Sequence, residues 1–317
     1  VTTTTEHPST ESRFKEAWRD PSLRLQRMLA MVLLICQGGI TVTGSLVRVT
    51  GSGLGCDTWP LCHEGSLVPV AGAAPWIHQA IEFGNRLLAF VVAAAAALAL
   101  FAVIRAGRRK DIKTLAWISL IGVVVQAVIG GISVRLDLRW WSVAVHFLPS
   151  MILVWVAAIL YMRIAESDDE LPTRRYPARA QTWTVIAAVA LCFVLVTGTM
   201  VTGSGPHSGD SGIGMEGRLQ LDTRVLAYVH AICMYLYLIS TLIVTVLLHR
   251  NGAPEDAKRT AWVLIALIVV QWAIGVIQFR MGVPRWTIPV HIGMSSTVVA
   301  FSAFLFAHGK RRLPTLV

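Results

Sequence analysis

Gln126-x3-Gly130-x4-Arg135-x5-Trp141-x4-His146 recurs 145 positions later as Gln271-x3-Gly275-x4-Arg280-x5-Trp286-x4-His291, with no gap across 21 residues. Coincidences in apolar sequence usually match Leu, Val or Ala. Five matched Gln, Gly, Arg, Trp and His residues in fixed register point to a tandem duplication. Each copy ends by placing a histidine near one end of an apolar helix.

Working outward, the apolar runs around these copies set the class. The chain has 317 residues, 55% hydrophobic and 15% charged, with a mean hydropathy of +0.62. Segments long enough to span a bilayer fall at about 25–47, 78–104, 114–134, 140–162, 181–202, 223–248, 260–279 and 286–307. Only helices or closed barrels satisfy the backbone inside a membrane, and these runs are too long and continuous for barrel strands. The expected fold is an all-α polytopic membrane protein of eight transmembrane helices, arranged as two tandem four-helix bundles.

The repeat reaches the first helix of each half. Val42-Thr43-Gly44-Ser45, followed by Arg48-Val49-Thr50-Gly51-Ser52-Gly53, resembles Val196-Thr197-Gly198-Thr199 followed by Val201-Thr202-Gly203-Ser204-Gly205. The halves are therefore 25–164 and 181–308, joined by a charged linker at 165–180 that contains Pro172 and Pro177. Four spans per half make the repeats parallel, related by an axis along the membrane normal. Residues 1–24 read as a disordered tail preceding a full-length, uncleaved span, and 309–317 as a second tail on the same side.

Lys and Arg set the orientation. Twenty of the 28 fall in the two tails and in the loops at 105–113, 163–179 and 250–259; seven lie on the other side, and Arg86 lies within a span. Both termini are expected in the cytoplasm of a cell-membrane protein. The net charge of +10 is mainly this orientation signal. Scattered through short loops, it offers no nucleic-acid surface, and the lipid bilayer is the partner the composition implies.

Three histidines lie inside spans at matched depth: His146, His230 and His291. Each is six to eight residues from the outer end of its span, or roughly 10 Å below the surface at 1.5 Å per residue. Ionisable groups at such depth are costly and face the bundle interior. Neutral imidazole is a common ligand of heme iron, so His230 and His291 on different helices are candidates for a bis-histidine heme in the second half. A non-heme metal is disfavoured, because no carboxylate or thiolate lies near these positions. In the first half His146 matches His291, but the position matching His230 is Asn85, a poor iron ligand. His78 is seven residues from Asn85, roughly 10 Å along the helix, and cannot simply replace the missing imidazole.

Glu82 is the only carboxylate well inside an apolar span, one turn before Asn85; its repeat counterpart is Ala227. Two readings stand: an ion pair with Arg86 at i+4, or a carboxylate serving the first-half site as proton acceptor or cation stabiliser. Cys56 and Cys62 share the first outer loop, in a compartment that permits disulfides. A structural disulfide and a redox-active pair are both open. Arg135, Arg139, Arg280 and Arg285 stand at outer helix ends, as holders of heme propionates or as interfacial anchors.

Taken together, the eight duplicated spans, the loop Gly51-Ser52-Gly53-Leu54-Gly55-Cys56 through Trp59-Pro60-Leu61-Cys62-His63, the Glu82-x-x-Asn85-Arg86-Leu87-Leu88 helix and the histidines at 146, 230 and 291 resemble the heme A synthase family. The resemblance runs from the first span to the last. It implies oxidation of a ring methyl of heme O to a formyl group, giving heme A for cytochrome oxidase. It implies heme b on His230 and His291, substrate heme O near His146, Asn85 and Glu82, and a Cys56–Cys62 disulfide. Implied partners are heme O, an external electron acceptor, heme O synthase and cytochrome oxidase assembly factors, with the heme sites toward the extracytoplasmic face. The chain departs from the family at Asn85, where His is common, and in the loop from Gly203 to Asp210, which lacks a second Cys pair. Alternatives are a bis-histidine membrane cytochrome that only carries electrons, and a heme-binding assembly protein without chemistry of its own.

Overall fold

The computed structural model describes residues 18–207 and 217–312. Eight long helices follow in order: α1 (Leu23–Val49), α2 (Trp76–Arg105), α3 (Lys110–Arg135), α4 (Trp140–Ile164), α5 (Ala178–Ser204), α6 (Thr223–Arg250), α7 (Glu255–Arg280) and α8 (Thr287–His308). All eight are long and apolar enough to cross a membrane. Their ends follow local chemistry. The Ser22 hydroxyl accepts from the Leu25 amide and Asp222 from those of Arg224 and Val225, satisfying amides that open a helix. Pro75, Pro177 and Pro254 stand immediately before α2, α5 and α7, where a fixed φ favours entry into a helix.

Helices α1 to α4 form one bundle and α5 to α8 the other, joined through α1, α4, α5 and α8. Met151 on α4 and Ser296 on α8 occupy equivalent repeat positions, and they meet: the Ser296 hydroxyl lies 3.9 Å from the Met151 sulfur. Equivalent residues touch only where a pseudo-twofold axis passes between them, so the axis runs through the α4–α8 contact. Beside it, the Thr41 and Ser296 hydroxyls are 2.8 Å apart. A Cβ on Gly293 would lie 3.2 Å from Val42. Small residues let helices approach closely where lipid gives no hydrophobic drive.

The halves are not copies in their packing. Helix α1 lies closely along α4, whereas its counterpart α5 packs mainly on α6 and touches α8 little. The second bundle is therefore splayed between the α5–α6 pair and α8.

One end of the molecule gathers the basic loops and the linker. Thr173–Arg174 (β1) pairs antiparallel with Lys310–Arg311 (β2). The linker and the start of the C-terminal tail thus form a small sheet; residues 313–317 lie outside the described residues. Glu166, 1% exposed, pairs with Arg109 at 2.8 Å, Arg163 at 2.7 Å and Arg311 at 3.6 Å. Arg108 joins Asp168, the Glu166 carbonyl and Gln26 of α1. Burial pushes the Asp168 carboxyl up, but hydrogen bonds and charges from Arg108 and Arg109 outweigh it and hold the group below its ordinary range. Glu166→Ala leaves three guanidinium groups around a lost anion. A destabilisation of about 3–5 kcal/mol is expected, measured as an earlier unfolding midpoint in detergent.

Most of the sequence-expected tail, 1–24, lies outside the described residues. Its final part is ordered: Trp18 begins a short helical turn, and its ring sits 5.7 Å from that of Phe101.

Candidate functional site: matched imidazole cradles and a docked disulfide loop

Each of the three buried-span histidines rests on a glycine of a neighbouring helix. A Cβ on Gly130 of α3 would stand 3.2 Å from Cε1 of His146, one on Gly275 of α7 3.3 Å from Cε1 of His291, and one on Gly198 of α5 3.2 Å from Cε1 of His230. This explains two glycines of the repeated stretch: a side chain there would press on the imidazole. The repeated glutamines have a matching task. Gln126 Nε2 donates to the His146 carbonyl at 2.9 Å and the Ser150 hydroxyl at 2.5 Å. Gln271 Nε2 donates to the His291 carbonyl at 3.2 Å and the Ser295 hydroxyl at 2.7 Å. Each glutamine therefore sets the depth of its histidine by gripping the backbone that carries it. Ser150 and Ser295 share the 145-residue offset. They are site residues that attention to Gln, Gly, Arg, Trp and His passed over.

His230 is held differently. Its Nδ1 is 3.1 Å from the Thr197 hydroxyl, which itself donates to the Phe193 carbonyl at 2.7 Å. A hydroxyl has one proton, so His230 Nδ1–H is the donor to Thr197 and the lone pair resides on Nε2. In the first half, Thr43 takes the place of Thr197 and Asn85 that of His230: the Thr43 hydroxyl donates to Asn85 Oδ1 at 2.7 Å. The Val-Thr-Gly repeat thus carries a contact to the variable position in both halves. That function of Thr43 and Thr197 was not visible before the helices were assembled.

These features fit a heme. Nε2 of His146, His230 and His291 makes no hydrogen bond among the described residues. Nδ1 of His146 and of His291 is buried without a hydrogen-bond partner among the described residues. Among the described residues no three His, Cys, Asp or Glu side chains converge. His146, His230 and His291 stand on separate helices, and single imidazoles from separate helices are a donor set that a heme iron can take.

Above the first-half site sits the loop of residues 50–75, docked on α2 and α3. Cys56 and Cys62 form a disulfide with Cα atoms 4.3 Å apart, and both residues are fully buried. The Trp59–Pro60 peptide bond is cis. Glu82 faces this loop, 4% exposed. Its Oε2 accepts from the Cys56 amide at 2.7 Å and its Oε1 from Arg86 at 2.6 Å. Arg86 also donates to the carbonyls of Leu61, Cys56 and Thr58. Of the two sequence readings of Glu82, the structure shows the ion pair with Arg86, and the carboxylate is buried one turn from Asn85. Gln79 anchors the remainder, receiving His63 Nε2 at 2.9 Å and the Val70 amide at 2.9 Å while donating to Val70 and Ala74 carbonyls. His78 is tied to Ser52 at 2.8 Å.

Two glycines make the docking possible. A Cβ on Gly131 would stand 2.2 Å from the Trp59 ring, and one on Gly55 would stand 2.4 Å from the His78 carbonyl group. The Gly55 obstacle is helix backbone, which cannot rotate away. Gly55→Ala is expected to lift the loop off α2. Mild reductant followed by a bulky maleimide should then label Cys56 and Cys62 at least about tenfold faster than in the parent, an opening equilibrium shifted by about 1.4 kcal/mol. Equal labelling rates would show that the loop is not held by this contact.

Of the four arginines at outer helix ends, Arg135 donates to the Trp59 carbonyl at 2.7 Å and so fastens the loop. Arg139, Arg280 and Arg285 are exposed and make no side-chain hydrogen bond or ion pair among the described residues. The loop corresponding to 50–75 in the second half is described only in part; residues 208–216 lie outside the described residues.

Eight spanning helices in duplicated bundles, each setting a histidine against a glycine and a partner position against a threonine, define a polytopic membrane protein of internally repeated type. The chain belongs to the COX15-CtaA family of cytochrome oxidase assembly proteins, whose model matches residues 27–208. It is 26% identical over 292 residues to the heme A synthase of Listeria monocytogenes, covering 88% of this chain and 93% of that protein. It is 24% identical over 265 residues to the heme A synthase of Bacillus licheniformis, covering 78% and 84%. With the heme A synthase of Staphylococcus haemolyticus it shares 32% over 184 residues, 55% of this chain and 58% of that protein.

Proposed function

We propose that this protein is a heme A synthase: an oxidoreductase that converts the ring methyl of heme O to a formyl group, supplying heme A to cytochrome oxidase. The observation that carries the reading is the asymmetry of a duplicated scaffold. His146 and His291 share one cradle, but their partner position holds His230 in one half and Asn85, with Glu82 a turn away, in the other. Two equal imidazoles suit a permanently held cofactor. An imidazole whose partner position in the repeat carries an amide, beside a docked loop, suits a substrate that must arrive and leave.

In this reading His230 and His291 hold heme b, which when bound supplies a one-electron iron couple for relay. Substrate heme O docks on His146 in the first half. Glu82 stabilises the positive charge that develops as the methyl carbon is oxidised and receives a proton from the attacking water. Arg86 keeps that carboxylate in place and joins it to the Cys56–Cys62 loop. Electrons leave to an external acceptor, with the disulfide as the candidate route. Arg139, Arg280 and Arg285, whose guanidinium groups make no hydrogen bond or ion pair among the described residues, are the candidates to meet heme propionates. The basic end faces the cytoplasm by the distribution of Lys and Arg, which puts the heme sites toward the opposite face of the cell membrane. Heme O synthase and cytochrome oxidase assembly factors are the proposed protein partners.

Pigment extraction after co-expression with a source of heme O tests this. Heme A in the extract is the expected result. A well-folded sample yielding heme B and unchanged heme O would overturn the synthase and favour a purely electron-carrying cytochrome.

A further inference from the structure

We infer that the first-half site gives its tetrapyrrole a single protein ligand, His146, and leaves the coordination position on the Asn85 side open to a small neutral ligand such as carbon monoxide. This rests on the proposed function in one respect only, that a heme binds on His146.

The repeat itself makes the comparison. In the second half, Thr197 accepts the Nδ1–H of His230, and Gly198 makes room for the ring. Thr43 and Gly44 stand in the same places in the first half. Thr43 reaches the side chain at the partner position, 2.7 Å from Asn85 Oδ1, and a Cβ on Gly44 would meet nothing within 4 Å. An imidazole cradle is therefore present, but the residue in it cannot use it. The Asn85 oxygen is engaged by Thr43, and an amide nitrogen has its lone pair delocalised into the carbonyl and binds iron poorly. Other candidate ligands are turned away: His78 is bonded to Ser52, and His63 spans Asp57 and Gln79. Both cysteines are in the disulfide, and both oxygens of Glu82 are taken. Among the described residues the Asn85 Nδ2–H2 group has no hydrogen-bond partner, and it is a donor suited to the polar end of a small ligand rather than to iron. Addition of carbon monoxide there forms one iron–carbon bond by donation of the carbon lone pair, with no bond broken and no electron transferred.

The cradle also predicts a gain of ligation. In Asn85→His the new imidazole finds Thr43 and the space beside Gly44, as His230 finds Thr197 and Gly198.

The experiment uses the full-length protein in detergent, loaded with heme, reduced with dithionite and exposed to carbon monoxide. The heme whose binding depends on His146 should show a carbon monoxide difference spectrum, and the heme on His230 and His291 should not. Asn85→His should retain both hemes, become low-spin at both, and lose the carbon monoxide response. His146→Ala should lose the responsive heme alone. If both hemes bind and neither responds in the parent protein, the open position is overturned while the synthase reading stands. If no bound heme depends on His146, the first-half heme site fails and this inference fails with it.

Discussion

On the proposed reading that His230 and His291 hold heme b, replacing His230 with alanine is expected to abolish a low-spin bis-imidazole optical spectrum of the purified protein and to release most of that heme. The expectation rests on how the ring is held. Thr197 takes the Nδ1 proton at 3.1 Å, which leaves the Nε2 lone pair for iron. A Cβ on Gly198 would stand 3.2 Å from Cε1 of the ring, so glycine leaves room for the imidazole. A second residue on the same helix cannot replace it, because neighbouring turns are about 5.4 Å apart along the axis. Thr197→Val provides the finer test. It keeps the volume but removes the hydroxyl, so the ring loses one of the contacts that orient it and retains the Val194 backbone as the other. Partners of this kind are typically worth about 10–100-fold in affinity, and heme retention on dilution should fall by that factor while the spectrum of the remainder stays low-spin. An unaltered spectrum in His230→Ala would place the iron elsewhere and remove the second-half site.

The second large effect is expected at Glu82. Glu82→Ala should eliminate heme A from the extract while heme b in the second half is retained. Two losses combine. The Cys56 amide and the Arg86 guanidinium each lose an acceptor now at 2.7 and 2.6 Å, and a buried donor left unsatisfied costs about 1–3 kcal/mol. The first-half site also loses the one carboxylate within a turn of Asn85. Glu82→Gln separates these effects. An amide oxygen can still receive the Cys56 N–H and preserve loop docking, but it carries no charge and accepts no proton. If the carboxylate acts on the reaction, Gln is as deficient in heme A as Ala, while its cysteines remain shielded from maleimide. If Glu82 serves only to dock the loop, Gln restores heme A, and the catalytic role is removed.

Much of this architecture was legible in the sequence because membrane insertion writes strong one-dimensional signals. A spanning helix must be continuous and apolar, and the eight expected spans agree with the helices to within a few residues at most ends. The exception is α7, which begins at Glu255 rather than near 260. Its first turn is polar and lies outside any hydropathy window, yet Pro254 and the acidic residues that follow favour a helix start there. Gln126 and Gln271 could be found by their spacing, but their task could not: it depends on a carbonyl and a serine on the next helix. The roles of Thr43 and Thr197 were hidden for the same reason, since each meets a residue more than thirty positions away. Likewise the i+4 spacing made Glu82 and Arg86 neighbours, whereas the Cys56 amide reached Glu82 only by folding a loop back over the helix.

From the sequence alone came the eight spans, the duplication, the basic end and the unequal partners at positions 85 and 230. All of these follow from composition, or from comparison of one half of the chain with the other. Tertiary structure alone decided that the pseudo-twofold axis passes between Met151 and Ser296. It alone revealed that the second bundle is splayed where the first is closed, and that Glu82 and Arg86 carry the disulfide loop. The physical reason is the range of the forces involved. Hydrophobic insertion acts on each segment by its own composition, whereas hydrogen bonds and close packing act over a few ångströms between residues far apart in the chain. The repeated stretch from Gln126 to His146 therefore announced a scaffold, and the contacts around Thr43 and Thr197 determined how its two copies differ.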